Sequence, residues 1–335
     1  MRILAFESSC DETAAAVLER KDGVITVLSN IVASQIAIHA KFGGVVPEIA
    51  SRAHSEAITG ITYEALEKAH CTMDDIDAVA VTNNPGLIGA LLVAVNFAKS
   101  LAYAYGKPLI PVNHIKGHIA ANYICHSDLK PPFIGFVASG GHTSIVRVED
   151  ARTHVLIGGT RDDAMGESFD KVARVMGMPY PGGAALDKLA YEGTDPIRFP
   201  SAAVKDDTLD FSFSGIKTAV LNLINREKQM GGELRRADIA AGFVQAAVSS
   251  VITKLKLTFD RNPDMKALVL AGGVAANSHL REALTEFTKK RGIALYMPEL
   301  RYCGDNAAMI GAAAFFEYDA GNFADVSLNA YAYSV

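Results

Sequence analysis

Three segments of this chain share one form, an apolar strand that runs into a turn of glycine and small polar residues. They are RILAFESSCDETAAAVLE at residues 2–19, FIGFVASGGHTSIVRVE at 133–149 and ALVLAGGVAANSHLREALTEF at 267–287. In the first two, strand-like residues follow the turn, so each predicts a β-hairpin. In the third, Asn277 and Ser278 precede apolar residues at helical spacing, which predicts a strand followed by a helix.

Two hairpin-led halves separated by helical stretches predict a duplicated α/β architecture, with one half at residues 1–128 and the other at 129–317. The length of 335 residues agrees with two domains. The run DAVAVTNNPGLIGALLVAVNFAKSLAYAYG predicts a buried strand, a Gly/Pro loop and a long helix. A second helix is predicted over residues 51–70. Glycine and proline punctuate residues 178–215, which we expect to form loops that line a site.

The formal net charge of −5 excludes a globally basic nucleic-acid binder. It leaves room for local basic patches. Solvated helix faces are the commoner interpretation of short cationic runs. Two such runs are present: Arg226, Lys228, Arg235 and Arg236, and then Lys289, Lys290 and Arg291.

The lengths of the apolar runs indicate the cellular compartment of the protein. The run before Glu7 has four residues, which is too short for a signal peptide. Asn96 and Lys99 interrupt the longest apolar region, which falls short of the roughly 18 residues that a membrane span needs. We therefore predict a cytoplasmic protein. Its four cysteines form no CxxC pair and are expected to be reduced, and neither Cys10 nor Cys303 is assigned a role.

The turns ESSCDET and ASGGHTS suit phosphate binding, because glycine and small hydroxyl residues let several backbone N–H groups converge on one anion. Each alone is more often a plain hairpin turn, but the pair could hold a polyphosphate from two sides. Neither a Walker A loop nor a GxGxxG after the first strand is present. AGGVAANS could approach a nucleotide through Gly272 and Gly273, with Asn277 as a hydrogen-bonding side chain. Alternatively, Asn277 or Ser278 caps a helix there.

His114 and His118 lie four residues apart in HIKGH. On a helix they share one face and could chelate a metal ion, although such pairs are as often structural. Zinc peptidases use HExxH, in which the glutamate is the general base. Here Ile115 takes that position and Lys116 adds positive charge, so peptidase chemistry is disfavoured. A third ligand must come from elsewhere, and Asp305, just before a small-residue helix, is the candidate.

Taken together, these motifs resemble the TsaD family of tRNA threonylcarbamoyladenosine proteins, once called Gcp or glycoprotease. The matching runs occur in order from residue 7 to about residue 310. They are ESSCDET, FGGVVPEIASRAH, NPGLIGALLVA, HIKGH, SGGHT, DAMGESFDKVAR, YPGG, FSFSGIKT, AGGVAANS and CGDNAAMI.

The resemblance implies the α/β fold of the actin, sugar kinase and Hsp70 (ASKHA) superfamily, with two duplicated lobes and a nucleotide cleft between them. Residues 318–335 are then expected to complete the first lobe. It also implies an acyltransferase. The threonylcarbamoyl group of threonylcarbamoyl-AMP moves to N6 of adenosine 37 in tRNAs that read codons beginning with A, and AMP leaves.

Carried over residue by residue, His114, His118 and Asp305 are the expected ligands of one iron or zinc ion. That ion would act as a Lewis acid on an oxygen of the adenylate. The other implied cofactor is an adenine nucleotide, either threonylcarbamoyl-AMP itself or ATP and ADP. Because N6 of adenine is a poor nucleophile, positioning must supply much of the rate.

The resemblance implies substrate contacts in the stretch VASGG and at four further positions of the second half. The residues that match are Val137, Ala138, Ser139, Gly140, Gly141, Asp170, Gly183, Asp187 and Asn277. Some relatives carry serine at position 187. Asp11, Glu12 and His142 also match family motifs and are expected at the cleft, with Asp11 and His142 as candidates for the general base.

The partners that the resemblance implies are tRNA, a TsaB-like paralogue without an active site, a TsaE-like ATPase and a TsaC-like enzyme that supplies the adenylate, with no membrane involved.

Three alternatives remain: a metallopeptidase of the O-sialoglycoprotein endopeptidase type, a small-molecule kinase, and a non-enzymatic nucleotide-binding scaffold. The missing glutamate of HIKGH counts against the first. The paired histidines have no purpose in the second, and retention of all three proposed ligands counts against the third.

Overall fold

The computed structural model describes residues 1–333. In this part of the chain, ten strands form two five-stranded sheets. The chain divides into two compact units. The first contains Met1–Lys130, Asp150–Thr153 and residues 298–333, and the second contains Pro131–Glu149 and His154–Met297.

The first sheet belongs to the first unit. Its strands are β1 (Arg2–Glu7), β2 (Glu12–Lys21), β3 (Val24–Ser34), β4 (Ala78–Asn84) and β5 (Leu109–Asn113). They are arranged in the order β3-β2-β1-β4-β5. β1 and β2 form the predicted antiparallel hairpin, whereas β4 and β5 continue the sheet in parallel.

The second sheet has the same topology. Its strands are β6 (Phe133–Ala138), β7 (Thr143–Val148), β8 (His154–Gly159), β9 (Ala267–Ala271) and β10 (Ala294–Tyr296). Their order is β8-β7-β6-β9-β10, with β6 and β7 as the second predicted hairpin and β9 and β10 in parallel. The duplication inferred from the hairpin-led halves is therefore present in the strand order itself.

Ten α-helices accompany these strands in the described chain. They are α1 (Ile36–His39), α2 (Pro47–Lys68), α3 (Ile88–Tyr105), α4 (His114–Cys125), α5 (Met165–Val175), α6 (Gly183–Ala190), α7 (Ser214–Met230), α8 (Arg236–Arg261), α9 (Ser278–Arg291) and α10 (Ala307–Asp319). The helix predicted at 51–70 is α2, which starts earlier because proline suits the first turn of a helix. The region predicted as loops at 178–215 contains α6 and the first residues of α7.

The first sheet is buried on both faces. Ile3 and Ala5 of β1 face a cluster that includes α10 and part of α4, and Leu4 and Phe6 face α2 and α3. The alternation along one strand therefore supplies two cores. Phe6 is fully buried and meets Phe97 edge to face, with 5.5 Å between ring centroids. Removing a phenylalanine of this kind costs about 3–5 kcal/mol.

Two helices of the described chain, α3 and α8, are long and apolar enough to cross a membrane if length and composition alone are considered. Each has a core face in the structure. On α3 the buried residues recur at helical spacing, for example Leu91, Ala94, Val95 and Ala98, and they pack in the core of the first unit. Core packing therefore accounts for the apolar composition of this helix.

The compact units differ from the predicted halves after residue 297. The prediction placed residues 298–317 in the second half, but they pack in the first unit because α10 covers one face of the first sheet. Residues 318–333 belong to the same unit. The last two residues of the predicted completion, 334–335, lie outside the described residues.

Small residues let α10 approach its neighbours closely. A Cβ at Gly311 would lie 2.3 Å from Cδ1 of Leu18 on β2, and a Cβ at Gly117 of α4 would lie 2.7 Å from Cδ1 of Ile310. All of these neighbours are fully buried, so they have little room to move. The glycine of HIKGH is thus a packing requirement between α4 and α10.

We predict that Gly117→Ala lowers the free energy of unfolding by about 1–3 kcal/mol, because the added methyl overpacks the α4–α10 contact. Gly60→Ala is the matched control. It lies within α2, nothing surrounds a Cβ there within 4 Å, and the change should add about 0.5–1 kcal/mol. Urea denaturation of both variants measures the difference. Equal effects of the two substitutions would show that the helix contact is not tight.

Candidate functional site

The sequence places His114 at the start of a helix that directly follows a strand. The side chain of Asn113, the last residue of β5, accepts hydrogen bonds from the backbone N–H groups of Ile115 (2.9 Å) and Lys116 (3.2 Å). This N-cap fixes where α4 begins. His114 and His118 are then one turn apart on a buried face, 4 % and 1 % exposed, with 4.6 Å between their ring centroids.

Asp305 meets both histidines. Its Oδ1 lies 3.2 Å from Nε2 of His118 and 3.6 Å from Nε2 of His114. The three candidate ligand atoms all lie within 4.8 Å of one another. Asn306, the next residue, caps α10 by accepting a hydrogen bond from Met309 N–H, which fixes the start of that helix beside Asp305. The three predicted ligands are therefore brought together within the first unit.

The chemistry of this group fits a divalent metal ion. Neither ring nitrogen of His118 makes a hydrogen bond of acceptable geometry within residues 1–333, although both are buried. Leaving such atoms unsatisfied is costly, and a metal ion is a partner that a neutral imidazole nitrogen can bind. Two imidazoles and one carboxylate are a donor set that suits zinc and iron(II).

Glu7 is a candidate site residue that the sequence motifs did not single out. It is 1 % exposed at the end of β1, and its Oε2 lies 3.0 Å from Nδ1 of His114. Thr82 donates a hydrogen bond of 2.7 Å to the same oxygen, and the backbone N–H of Ser9 donates to Oε1. A carboxylate that holds Nδ1–H leaves Nε2 free to bind a metal. The available signal was an acidic residue directly after four apolar strand residues.

The negative charge of Glu7 and the positive charge of His114 stabilise each other. Burial raises the pKa of Glu7, but the charge and hydrogen bond of His114 outweigh it, so the pKa lies below its usual value. Burial lowers the pKa of His114, but the carboxylates of Glu7 and Asp305 raise it to about 9. Without a metal ion the His114 ring thus carries both protons at neutral pH, and a metal must displace the one on Nε2.

Asp11 and Glu12 lie in the same unit, at the turn between β1 and β2. Burial raises the pKa of Glu12 to about 7, with Asp11 and Asp305 adding to the effect and a hydrogen bond from Ser34 opposing it. Burial likewise raises the pKa of Asp11, and the Asp305 charge adds to it. Both groups therefore sense the Asp305 carboxylate, which places them in the surroundings of the metal triad.

The predicted substrate turn follows β6 in the second unit. Ser139 N–H donates to the carbonyl of His142 (2.8 Å), and His142 N–H donates to Ser139 Oγ (3.2 Å), which closes a tight turn after Val137 and Ala138. Nothing lies within 4 Å of a Cβ built on Gly140 or Gly141, so the backbone of this turn is open to a ligand.

Two other glycines let neighbouring segments reach this turn. A Cβ on Gly166, at the start of α5, would lie 2.5 Å from the carbonyl oxygen of Ser139. Gly272 has a φ of +91°, and its Cβ would lie 2.3 Å from the carbonyl oxygen of Ala138. Glycine is required at both positions, because any side chain would collide with the backbone that leads into the turn.

The remaining predicted contacts form two pairs in the second unit. Asp170 accepts hydrogen bonds from the N–H groups of Gly182 (2.8 Å) and Gly183 (3.1 Å) at the start of α6. Asp187, on the same helix, accepts from the N–H and the hydroxyl of Ser278 at the start of α9. Its other oxygen lies 2.7 Å from Nδ1 of His279. The two carboxylates thus tie α5 to the N-terminal end of α6, and α6 to the N-terminal end of α9.

Asn277 caps α9, because its side-chain oxygen accepts a hydrogen bond of 2.8 Å from Leu280 N–H. The cap predicted at this position is therefore present, and it uses only the side-chain oxygen of Asn277, whose amide nitrogen has two further N–H donors. None of the four cysteines forms a disulfide bond in the described chain.

The basic runs are largely neutralised. Ion pairs connect Arg235 to Asp195 and Asp238, and Arg291 to Asp260. All of these side chains are at least partly exposed, which fits solvated helix faces better than a concentrated nucleic-acid surface.

Comparison with known proteins decides the family. The family described as TsaD, tRNA N6-adenosine threonylcarbamoyltransferase, matches residues 26–312. A tRNA N6-adenosine threonylcarbamoyltransferase of Clostridium perfringens is 57 % identical over 329 residues, covering 98 % of this chain and 96 % of that protein. The chain belongs to the TsaD family. The resemblance seen in the motifs is thereby confirmed, and nothing in the TsaD match favours a peptidase.

Solved structures of low identity show the fold alone. Component A of the (R)-2-hydroxyglutaryl-CoA dehydratase of Acidaminococcus fermentans is similar with a TM-score of 0.56 at 15 % identity, covering 95 % of this chain and 99 % of that one. HypF of T. kodakarensis is similar with a TM-score of 0.59 at 13 % identity, covering 98 % and 49 %. Together with the duplicated sheets, these similarities confirm the ASKHA fold predicted for this TsaD-family chain.

We predict that metal affinity rises with pH. His114 has a pKa raised to about 9, so below that pH a proton on Nε2 competes with the metal, and each unit of lower pH should weaken apparent zinc affinity about tenfold. Competition with a chromophoric chelator between pH 6.5 and 8.5 measures this. In Glu7→Gln the pKa of His114 falls, and the dependence should shift to lower pH. Affinity that does not vary with pH in the wild type would contradict the assignment.

Proposed function

We propose that His114, His118 and Asp305 hold one iron(II) or zinc ion that serves threonylcarbamoyl transfer to tRNA. The reaction is that of the family: the threonylcarbamoyl group of threonylcarbamoyl-AMP is transferred to N6 of adenosine 37 and AMP is released. One observation carries the assignment. A buried His118 without hydrogen bonds in the described chain faces Asp305, beside a His114 whose Nδ1 is held by Glu7.

The bound ion would supply Lewis-acid polarisation of an oxygen of the adenylate. The chain's own residues do the rest. The turn at residues 139–141 is suited to hold phosphate or carbamoyl oxygens through backbone N–H groups, because no side chain closes off Gly140 or Gly141. Val137 and Ala138 set the position of that turn from the end of β6.

We assign the rest of the adenylate to Asp170, Gly183, Asp187 and Asn277. Support comes from their arrangement around the N-terminal ends of α6 and α9, where backbone N–H groups and helix dipoles favour an anion. Asp187 already accepts three hydrogen bonds from Ser278 and His279, so it has room for about one more donor.

A proton must leave N6 when the new C–N bond forms, and Asp11, Glu12 and His142 are the candidates to take it. Glu12 is favoured. Its Oε2 is buried and accepts no hydrogen bond within residues 1–333, and its pKa of about 7 suits a base at neutral pH. The adenosine lies in a single-stranded anticodon loop, so presenting its base costs little.

The proposed partners are tRNA, a TsaB-like paralogue and a TsaE-like ATPase, with a TsaC-like enzyme supplying the adenylate, all in the cytoplasm. An open groove of about 460 Å³ between α2 and α3 supports a protein partner. Its apolar side chains include Leu92 and Val93, and Tyr63 and Tyr103 are strongly exposed on the same two helices.

We also propose that the two compact units are the two lobes of the fold.

We predict that His118→Ala lowers threonylcarbamoyladenosine formation by at least about 100-fold, because one of three metal ligands is lost. The chain is incubated with the partner proteins, threonylcarbamoyl-AMP and unmodified tRNA, and digested nucleosides are measured by mass spectrometry. His126→Ala, at the C-terminal end of the same helix, is the control and should keep the activity. If His118→Ala forms as much product as the wild type, His114 and His118 are a structural pair and not metal ligands.

We predict that kcat of the metal-saturated enzyme rises with pH through about 7, because Glu12 accepts a proton only when ionised. Glu12→Gln should lower kcat about 100-fold or more and remove that rise. Single-turnover rates between pH 5.5 and 8.5, with metal content checked at each pH, provide the measurement. An unchanged pH profile in Glu12→Gln would exclude Glu12 and bring Asp11 and His142 forward.

A further inference from the structure

Two buried histidines outside the metal triad lie in a network beside the turn that joins β1 to β2. His39 and His54 are both fully buried, and Gln35 lies between them. Oε1 of Gln35 is 3.1 Å from Nε2 of His39, and its Nε2 is 3.3 Å from Nδ1 of His54. Neither histidine has a part in the mechanism described above.

The direction of every hydrogen bond in this network is determined by its two ends. At one end the backbone N–H of Val46 donates to Nδ1 of His39 (3.3 Å), so Nε2 carries the proton and donates to Gln35. At the other end Nε2 of His54 lies 3.0 Å from the carbonyl oxygen of Cys10, which can only accept. His54 Nδ1 therefore accepts, both from Gln35 and from the Thr13 hydroxyl at 2.7 Å. The donors that run from His39 through Gln35 and His54 therefore point towards Cys10, and Gln35 Nε2 also donates to the carbonyl oxygen of Ala50 (3.4 Å).

The turn is held on both sides by these contacts. On one side Ser9 Oγ lies 3.1 Å from Nδ1 of His114, which ties the turn to the metal centre. On the other, His54 binds the Cys10 carbonyl, and the backbone N–H of Gln35 donates to the Asp11 carbonyl (3.1 Å). The backbone that carries the Asp11 and Glu12 side chains is thus anchored between the metal centre and the network.

Stability alone does not require such an arrangement. An apolar residue of similar size would pack against the core of α2, which already buries Ile58, Ile61 and Ala65. Buried polar networks are no more stabilising than apolar packing unless every member is satisfied, but they fix one geometry. Here both nitrogens of His54 are satisfied, and the group they orient is a backbone carbonyl one residue from a candidate base.

We propose that His54 is a positioning residue for the transfer reaction: it holds the Cys10 carbonyl, and so sets the carboxylates of Asp11 and Glu12 relative to the metal centre. The inference rests on the function proposed for those two carboxylates. Gln35 and His39 act with His54, because they fix the nitrogen that donates to Cys10.

The kinetic test compares His54→Ala with His54→Gln and a control. His54→Ala should lower kcat about 10- to 100-fold, the size expected for a small misplacement, and leave KM for tRNA and for the adenylate within about threefold. His54→Gln, whose amide N–H can reach the place of Nε2, should recover most of the loss. Thr62→Ala is the control: it is buried on the same helix, and its hydroxyl bonds only within α2, to the Ile58 carbonyl. It should leave kcat unchanged.

Hydrogen exchange gives a readout that needs no catalysis. In His54→Ala, amides of residues 8–13 should exchange at least about tenfold faster, whereas those of residues 114–125 should not change. Unchanged exchange at residues 8–13, or a kcat loss no greater than that of Thr62→Ala, overturns the positioning role. Faster exchange with an unchanged kcat overturns it as well, and shows in addition that Asp11 and Glu12 take no part in the reaction. If the wild-type chain itself forms no threonylcarbamoyladenosine, the proposed function is contradicted instead.

Discussion

The close packing of α4 on α10 is the constraint on which the proposed metal centre depends. Gly117 allows it, because the space of a Cβ is taken by Ile310. One helix carries His114 and His118, and the residue before the other helix's cap is Asp305. A metal ion needs its ligands placed within a few tenths of an ångström, so a requirement of helix packing is at the same time a requirement of coordination chemistry.

The sheet supplies the second part of the same arrangement. β1 is buried on both faces, and its last residue, Glu7, directly follows its apolar residues. There the Glu7 carboxylate contacts His114, the first residue of α4, which directly follows β5. Because β1, β4 and β5 run in parallel, their carboxyl ends meet at one edge, and Thr82 of β4 donates to Glu7 at that edge. The duplicated topology thus places polar side chains together at one end of an apolar sheet.

The sequence allowed the local features to be predicted and not the tertiary ones. The hairpins, the strand–turn–helix at Asn277 and the paired histidines depend on spacing within one segment, which a period of 2 or 3.6 reveals. Glu7 and His54 depend on which segments pack together, and nothing in ESSCDET or SRAH shows that. The unit that α10 joins likewise depends on tertiary packing, and residues 298–317, predicted in the second half, pack in the first unit.

Charge explains why this site suits a divalent cation. Glu7 and Asp305 place two carboxylates against a buried ring, and Asp11 and Glu12 add to the negative potential nearby. Without a metal ion, a single extra proton on His114 offsets this charge, which is why its pKa lies near 9. A divalent cation with two neutral imidazoles balances the charges of the Glu7 and Asp305 carboxylates. Nε2 of His118, which makes no hydrogen bond within residues 1–333, then gains a partner as well.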